Sequence, residues 1–109
     1  MMAPFLNIAT EAAKRSKHRA FFHGCVIVRA GSLVSQGANH DNVHAEIAAL
    51  QKIWPNKRKG CLAVSIRVTR GGLLAEAKPC LDCQKALKEN GIKKVYYSTA
   101  NRTIELMKL

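Results

Sequence analysis

Lys94-Val95-Tyr96-Tyr97-Ser98, Thr99-Ala100-Asn101-Arg102 and Thr103-Ile104-Glu105-Leu106-Met107 follow one another without a break, and they decide how a sheet in this chain can close. Residues 94–98 and 103–107 read as strands, the second the weaker of the two. Only the four residues 99–102 lie between them. A parallel crossover needs about a dozen residues or more, so strand 103–107 must return antiparallel if it pairs with its neighbour.

Working back from that pair, residues 79 to about 89 are predicted helical, with Asn90-Gly91 as the stop signal. Residues 61–69 alternate Leu62, Val64, Ile66 and Val68 with Ala63, Ser65, Arg67 and Thr69, the period of a strand. Gly71-Gly72 makes a turn, and residues 73–75 add a short return strand. Residues 43–54 read as a helix with Ile47, Leu50 and Trp54 on one face and Asn42 or Asp41 as cap. Pro55 and the basic turn 56–60 end it. Val26-Ile27-Val28 is a buried strand, Ala30-Gly31-Ser32 a turn, and residues 33–36 a second strand ending at Gly37. Pro4 suits a first helical turn, and Phe5, Ile8, Ala9, Ala12 and Ala13 carry an amphipathic helix to about residue 17. The order αββαβαββ implies an α/β three-layer αβα sandwich: a five-stranded mixed sheet with helices on both faces and an antiparallel last strand. No repeat or linker interrupts residues 1–109, which are expected to form a single domain.

Eighteen Lys and Arg face seven Asp and Glu, a formal charge of +11. Such a balance favours phosphorylated or polyanionic partners by steering and counterion release, though charge speaks to association and not to chemistry. The cluster Lys14, Arg15, Lys17 suits a helix C-terminus and would also meet phosphate. No apolar run approaches eighteen residues, and the first ten lack a charged segment before a hydrophobic one, so neither a membrane span nor a signal peptide is expected. Cys25 and Cys61 lie in apolar strand-like runs where a buried free thiol is usual, which points to a reducing, cytoplasmic compartment.

The chemistry is carried by His44-Ala45-Glu46 and, about thirty residues on, Pro79-Cys80-Leu81-Asp82-Cys83. His44, Cys80 and Cys83 are zinc ligands by type, and Glu46 is a carboxylate not needed to hold the metal. A structural zinc site is closed by four protein ligands, whereas a catalytic one keeps a position open for water. Taken singly, CxxC could be a redox pair or half of a closed site, and Cys61, Cys25 or His40 could supply a fourth ligand. Taken together, three ligands and a nearby proton carrier point to zinc-activated water.

This pattern resembles the signature of the cytidine/deoxycytidylate deaminase superfamily, and the resemblance covers most of the chain. It implies an αβα sandwich, Zn2+ as cofactor, and hydrolytic conversion of cytosine to uracil. Activated water adds at C4 of the ring, Glu46 shuttles the proton to the ring nitrogen, and ammonia leaves. The antiparallel tail resembles the cytidine-deaminase branch; the branch holding adenosine-in-tRNA, deoxycytidylate and polynucleotide cytosine deaminases inserts a helix there. The resemblance further implies that Asn39 hydrogen-bonds the substrate, with a turn-forming Asn as the alternative. It places His23, Cys25 and Ala45 beside the base. Phe21 and Phe22 read as core residues, with base stacking the alternative, and His40 is left undecided. Where many relatives carry Thr-x-Glu before Pro-Cys, this chain has Glu76-Ala77-Lys78, and Lys78 could meet a phosphate or solvent.

Three functions follow in order of preference. The first is deamination of a free cytosine nucleoside or nucleotide by a homo-oligomer, with no membrane partner. The second is deamination of cytosine in single-stranded DNA or RNA, which the charge favours. The third is a non-catalytic zinc-containing nucleic-acid-binding module, against which an intact Glu46 argues.

Overall fold

The computed structural model describes residues 2–18 and 21–109. Its centre is one mixed sheet. Strand β1 (Phe22–Arg29) pairs antiparallel with both β2 (Ser32–Ala38) and β3 (Leu62–Val68). Strand β3 pairs parallel with β5 (Lys94–Ser98), which pairs antiparallel with β6 (Ile104–Lys108). The order is β2-β1-β3-β5-β6, with the two-residue β4 (Leu74–Ala75) antiparallel on β3. The return strand expected at 73–75 thus brings the count to six. The last strand runs antiparallel as the four-residue turn requires, with Tyr96 opposite Leu106 and Ser98 opposite Ile104.

The β1–β2 turn is two residues long, Ala30 and Gly31, both at positive φ (50° and 77°). That is the backbone of a type I′ turn, whose twist matches that of the flanking strands. It locks Arg29 opposite Ser32.

Alternation along the strands sorts side chains into two layers. Helix α1 (Ala3–Lys14) covers one face, where Ala9 and Ala13 pack with Val26, Val28, Val64, Ile66 and Val68. Helices α2 (Ala45–Gln51) and α3 (Leu81–Glu89) cover the other, over Cys25, Ile27, Ala63 and Val95. Each fully buried Ile, Leu or Val in these layers contributes about 1.5–3 kcal/mol. Gly24 explains how closely α1 approaches: a Cβ there would run into the backbone of Ala9 and Ala13.

The starts of α2 and α3 differ from the sequence expectation: α2 begins at Ala45 with His44, not Asn42 or Asp41, as its N-cap, and α3 begins at Leu81. Two helix ends differ as well. Helix α1 stops at Lys14 and not near 17, because the buried Ser16 leaves the helix and donates its hydroxyl to Asn39 Oδ1 at 2.5 Å. Helix α2 ends at Gln51, and Trp54 stands out at 78% exposure instead of sharing a buried face with Leu50. Its ψ of 136° is the extended backbone that a following proline imposes, so the helical face cannot include it. Ile53 takes the buried place. Helix α3 ends as its Asn-Gly pair predicts: Gly91 lies at φ 83°, and the Ile92 N–H turns back to Leu87 O.

Candidate active site

Both short helices begin over the same end of the sheet. His44 is the N-cap of α2 and Cys80 that of α3, each with extended backbone and neither making a side-chain cap hydrogen bond. An N-cap side chain ordinarily accepts from the N–H groups of the first turn. Here the imidazole and the thiol turn toward each other instead. Cys83, three residues into α3, joins them: His44 Nδ1 lies 3.8 Å from Cys80 Sγ and 3.3 Å from Cys83 Sγ. The three ligand atoms all lie within 4.8 Å of one another. Tetrahedral zinc with its usual bond lengths separates an N and an S ligand by about 3.6 Å, so the spacing fits that ion. His40 is exposed and lies 3.6 Å from the Asp41 carboxylate; no fourth His, Cys, Asp or Glu joins the cluster among the described residues.

Burial pushes the Cys83 thiol well up, and the Glu46 carboxylate pushes it further. A metal must therefore displace a proton to bind there, which makes retention weaker as pH falls.

Glu46 sits in the first turn of α2, two residues from His44, and is 1% exposed. Its Oε1 has no hydrogen-bond partner and lies 3.2 Å from His23 Nε2. That nitrogen is also 2.5 Å from Ser65 Oγ, whose own hydroxyl donates to Ala77 O at 3.1 Å. With its hydrogen committed to Ala77, Ser65 accepts from His23, so the single Nε2–H is taken. Burial lowers the His23 pKa, the Glu46 charge opposing it, and the ring is neutral at pH 7. Glu46 is thus left with a buried acceptor oxygen that nothing in the protein satisfies. Such a group needs a donor from outside, and an ion held by His44, Cys80 and Cys83 would supply one in the form of an activated water.

These groups open into a cavity of about 450 Å³, whose lining includes His23, Asn39, His44, Glu46, Arg67 and Cys80. Asn39 is largely occupied. Its Oδ1 accepts from Ser16 and, at 3.1 Å, from the His23 N–H, while Nδ2 donates to Phe21 O at 2.9 Å. It clamps the segment leading into β1 and keeps one Nδ2 hydrogen over.

The sequence expectations divide accordingly. His44, Glu46, Cys80, Cys83, His23 and Asn39 converge. Cys25 and Ala45, expected beside the base, are instead fully enclosed and do not line the cavity. Cys25 points into the layer under α2 and α3, and Ala45 packs its methyl into that same layer. Phe22 packs as core, but Phe21 precedes the strand, is 48% exposed and forms part of the cavity wall. Ser65, Arg67 and Glu76 were not foreseen as site residues. The available signal was a Ser and an Arg interrupting the inward positions of a strand that runs into the Pro-Cys motif.

An αβα sandwich that brings an imidazole, two thiols and a carboxylate with one buried unpartnered oxygen to a single cavity defines a protein with a candidate metal site. The family model of the cytidine and deoxycytidylate deaminase zinc-binding region matches residues 2–99, and the chain belongs to that family. The tRNA-specific adenosine deaminase subunit tad2 of Schizosaccharomyces pombe is 30% identical over 104 residues, 89% of this chain and 25% of that protein. The chain therefore spans a quarter of the length of this curated relative. Acinetobacter baumannii RibD (form 1) shares 27% identity at a TM-score of 0.64, over 88% of this chain and 27% of its own. The dCMP deaminase of cyanophage S-TIM5 in apo form superposes with a TM-score of 0.66 over 89% of this chain and 81% of its own. At 24% identity that likeness shows the fold alone. The cofactor of the domain is zinc, with His44 and the two cysteines placed to bind it.

Proposed function

We propose that this chain is a single-domain hydrolytic deaminase that converts cytosine to uracil in a free nucleoside or nucleotide. The observation that carries the reading is the buried, unpartnered Glu46 oxygen beside the metal-ligand cluster. His44, Cys80 and Cys83 would hold zinc, which when bound supplies an activated water for hydrolysis. Glu46 would take a proton at Oε1 and return it to the ring nitrogen, which its burial and the unpartnered Oε1 favour. His23, fixed by Ser65, keeps the carboxylate company without neutralising it. Asn39 would hold the cavity wall and offer its remaining N–H to the substrate.

Free monomers are favoured over polymers by the antiparallel β6, the tail that resembles the cytidine-deaminase branch. The likeness to a tRNA-acting adenosine deaminase favours a second reading, a base within a nucleic acid. Ammonia release from cytidine, deoxycytidine, CMP, dCMP, adenosine, single-stranded DNA and tRNA by zinc-loaded protein tests the choice. Turnover of cytosine monomers is expected; turnover of a polymer alone overturns the first reading. A homo-oligomer fits a surface that exposes Leu81, beside Cys80, at 80%; sedimentation checks it. Among the described residues no helix is long and apolar enough to cross a membrane.

A further inference from the structure

We infer that Arg67 reads a phosphate, so that the ligand of the cavity is a nucleotide and not a bare nucleoside. The inference rests on the reading above for the base, but not for the anion.

Arg67 lies opposite His23 in the β1–β3 register, so both side chains leave the same face of the sheet, and both line the cavity. Its guanidinium is held over the Phe21 ring, with Cζ 4.2 Å from the centroid. Both partners are anchored through their backbones. The Arg67 N–H donates to Ser98 Oγ at 3.1 Å, the Phe21 N–H to His18 Nδ1 at 3.0 Å, and Phe21 O accepts from Asn39. A guanidinium stacked on a ring keeps its in-plane N–H fork open, the geometry that grips phosphate through two oxygens.

No carboxylate pairs with Arg67 among the described residues. The three carboxylates that line the cavity lie nearer to other groups. Asp41 sits beside His40, and Glu46 beside His23. Glu76 accepts from the Ala100 and Lys78 N–H groups at 3.2 and 3.4 Å. A half-buried, pre-oriented cation that no carboxylate reaches within ion-pair distance can take an anion from outside. Lys78 adds a second positive charge to the same lining, and the net +11 draws anions toward it.

The test uses zinc-loaded Glu46→Gln protein, in which binding is read without turnover. CMP, cytidine and a short oligodeoxycytidylate are titrated calorimetrically, with Arg67 intact and as Arg67→Ala. CMP is expected to bind about tenfold or more tighter than cytidine. Arg67→Ala should bring the two within about twofold, and Arg67→Lys should restore part of the gap. Oligonucleotide affinity that depends on Arg67 more steeply than CMP affinity assigns the phosphate to a diester backbone; the reverse assigns it to a monoester. Equal affinities of CMP and cytidine, or a CMP advantage that survives Arg67→Ala, overturn the inference. Should Arg67→Ala fail to fold, Arg67→Gln keeps the length and planarity without the charge and is read the same way. Arg67-dependent CMP binding by a protein that deaminates nothing would sink the deaminase reading and leave this one standing. Equal deamination of CMP and cytidine, unaffected at Arg67, would do the opposite.

Discussion

The two faces of the sheet use the same strands and end differently. Toward α1, the inward positions of β1 and β3 are Val26, Val28, Val64, Ile66 and Val68, apolar from end to end. Toward α2 and α3, the run along β1 is Ile27, Cys25, His23, and along β3 it is Ala63, Ser65, Arg67. Apolar becomes polar within five residues of strand. Alpha1 covers its face with the flank of a long helix. The other face is covered by two short helices that begin at His44 and Cys80, so their capping residues, not their apolar flanks, stand over the polar end. Period-two alternation thus divides the labour: one face holds the fold, the other ends in a site.

The division is tested most severely at the metal ligands and the carboxylate. Cys83→Ser should abolish turnover and drop bound zinc well below one per chain, as metal analysis would read. Glu46→Gln should lower turnover by about 10²–10⁴-fold while zinc stays bound. Full activity in either variant would remove the chemistry from this face.

Gly24→Ala strikes the opposite face. Its Cβ meets the α1 backbone, which cannot rotate away as a side chain would. Overpacking of this kind costs about 1–3 kcal/mol, a drop of roughly 5–15 °C in Tm for a domain of this size. Zinc content per folded chain should be unchanged; a variant that loses metal as readily as stability would show that the faces are not independent. Ser65→Ala is milder, because it removes one hydroxyl and leaves the His23 N–H free to swing toward Glu46 Oε1. A loss of about 1 kcal/mol in urea unfolding is expected. No measurable loss would mean that the Ser65–His23 bond contributes nothing to the polar end.

What could be read beforehand follows the range of the interactions. The hairpin, the strand alternation and the antiparallel tail are set by neighbours a few residues apart, and the zinc ligands by spacing within two short motifs. Trp54 misled because a helical period continued one step past where Pro55 allowed helix. Asn39 was legible as a site residue but not as a clamp, since its partner Ser16 lies 23 residues away. Arg67 was legible only as a strand position, and Phe21 as a core candidate with base stacking the alternative. Alternation says which face a residue takes, but not where along that face the covering helices stop.

The smallest expected effect separates the faces by pH. None of the α1-facing residues of β1 and β3 ionises, whereas His23 on the other face is buried, its pKa held down mainly by desolvation. Its folded value lies below the unfolded one of about 6.5. Below that pH the unfolded chain binds a proton that the folded chain resists, so stability present above pH 6.5 is lost as pH falls toward the folded value. Chelator-treated protein removes the competing release of zinc from the thiolates. Urea unfolding at pH 7.5 and 5.5 should then show that His23→Gln loses less stability on acidification than the parent, by up to about 1 kcal/mol. The neighbouring Glu46 charge works in the other direction. A variant more acid-sensitive than the parent would show that this attraction outweighs burial and that His23 is held as a cation.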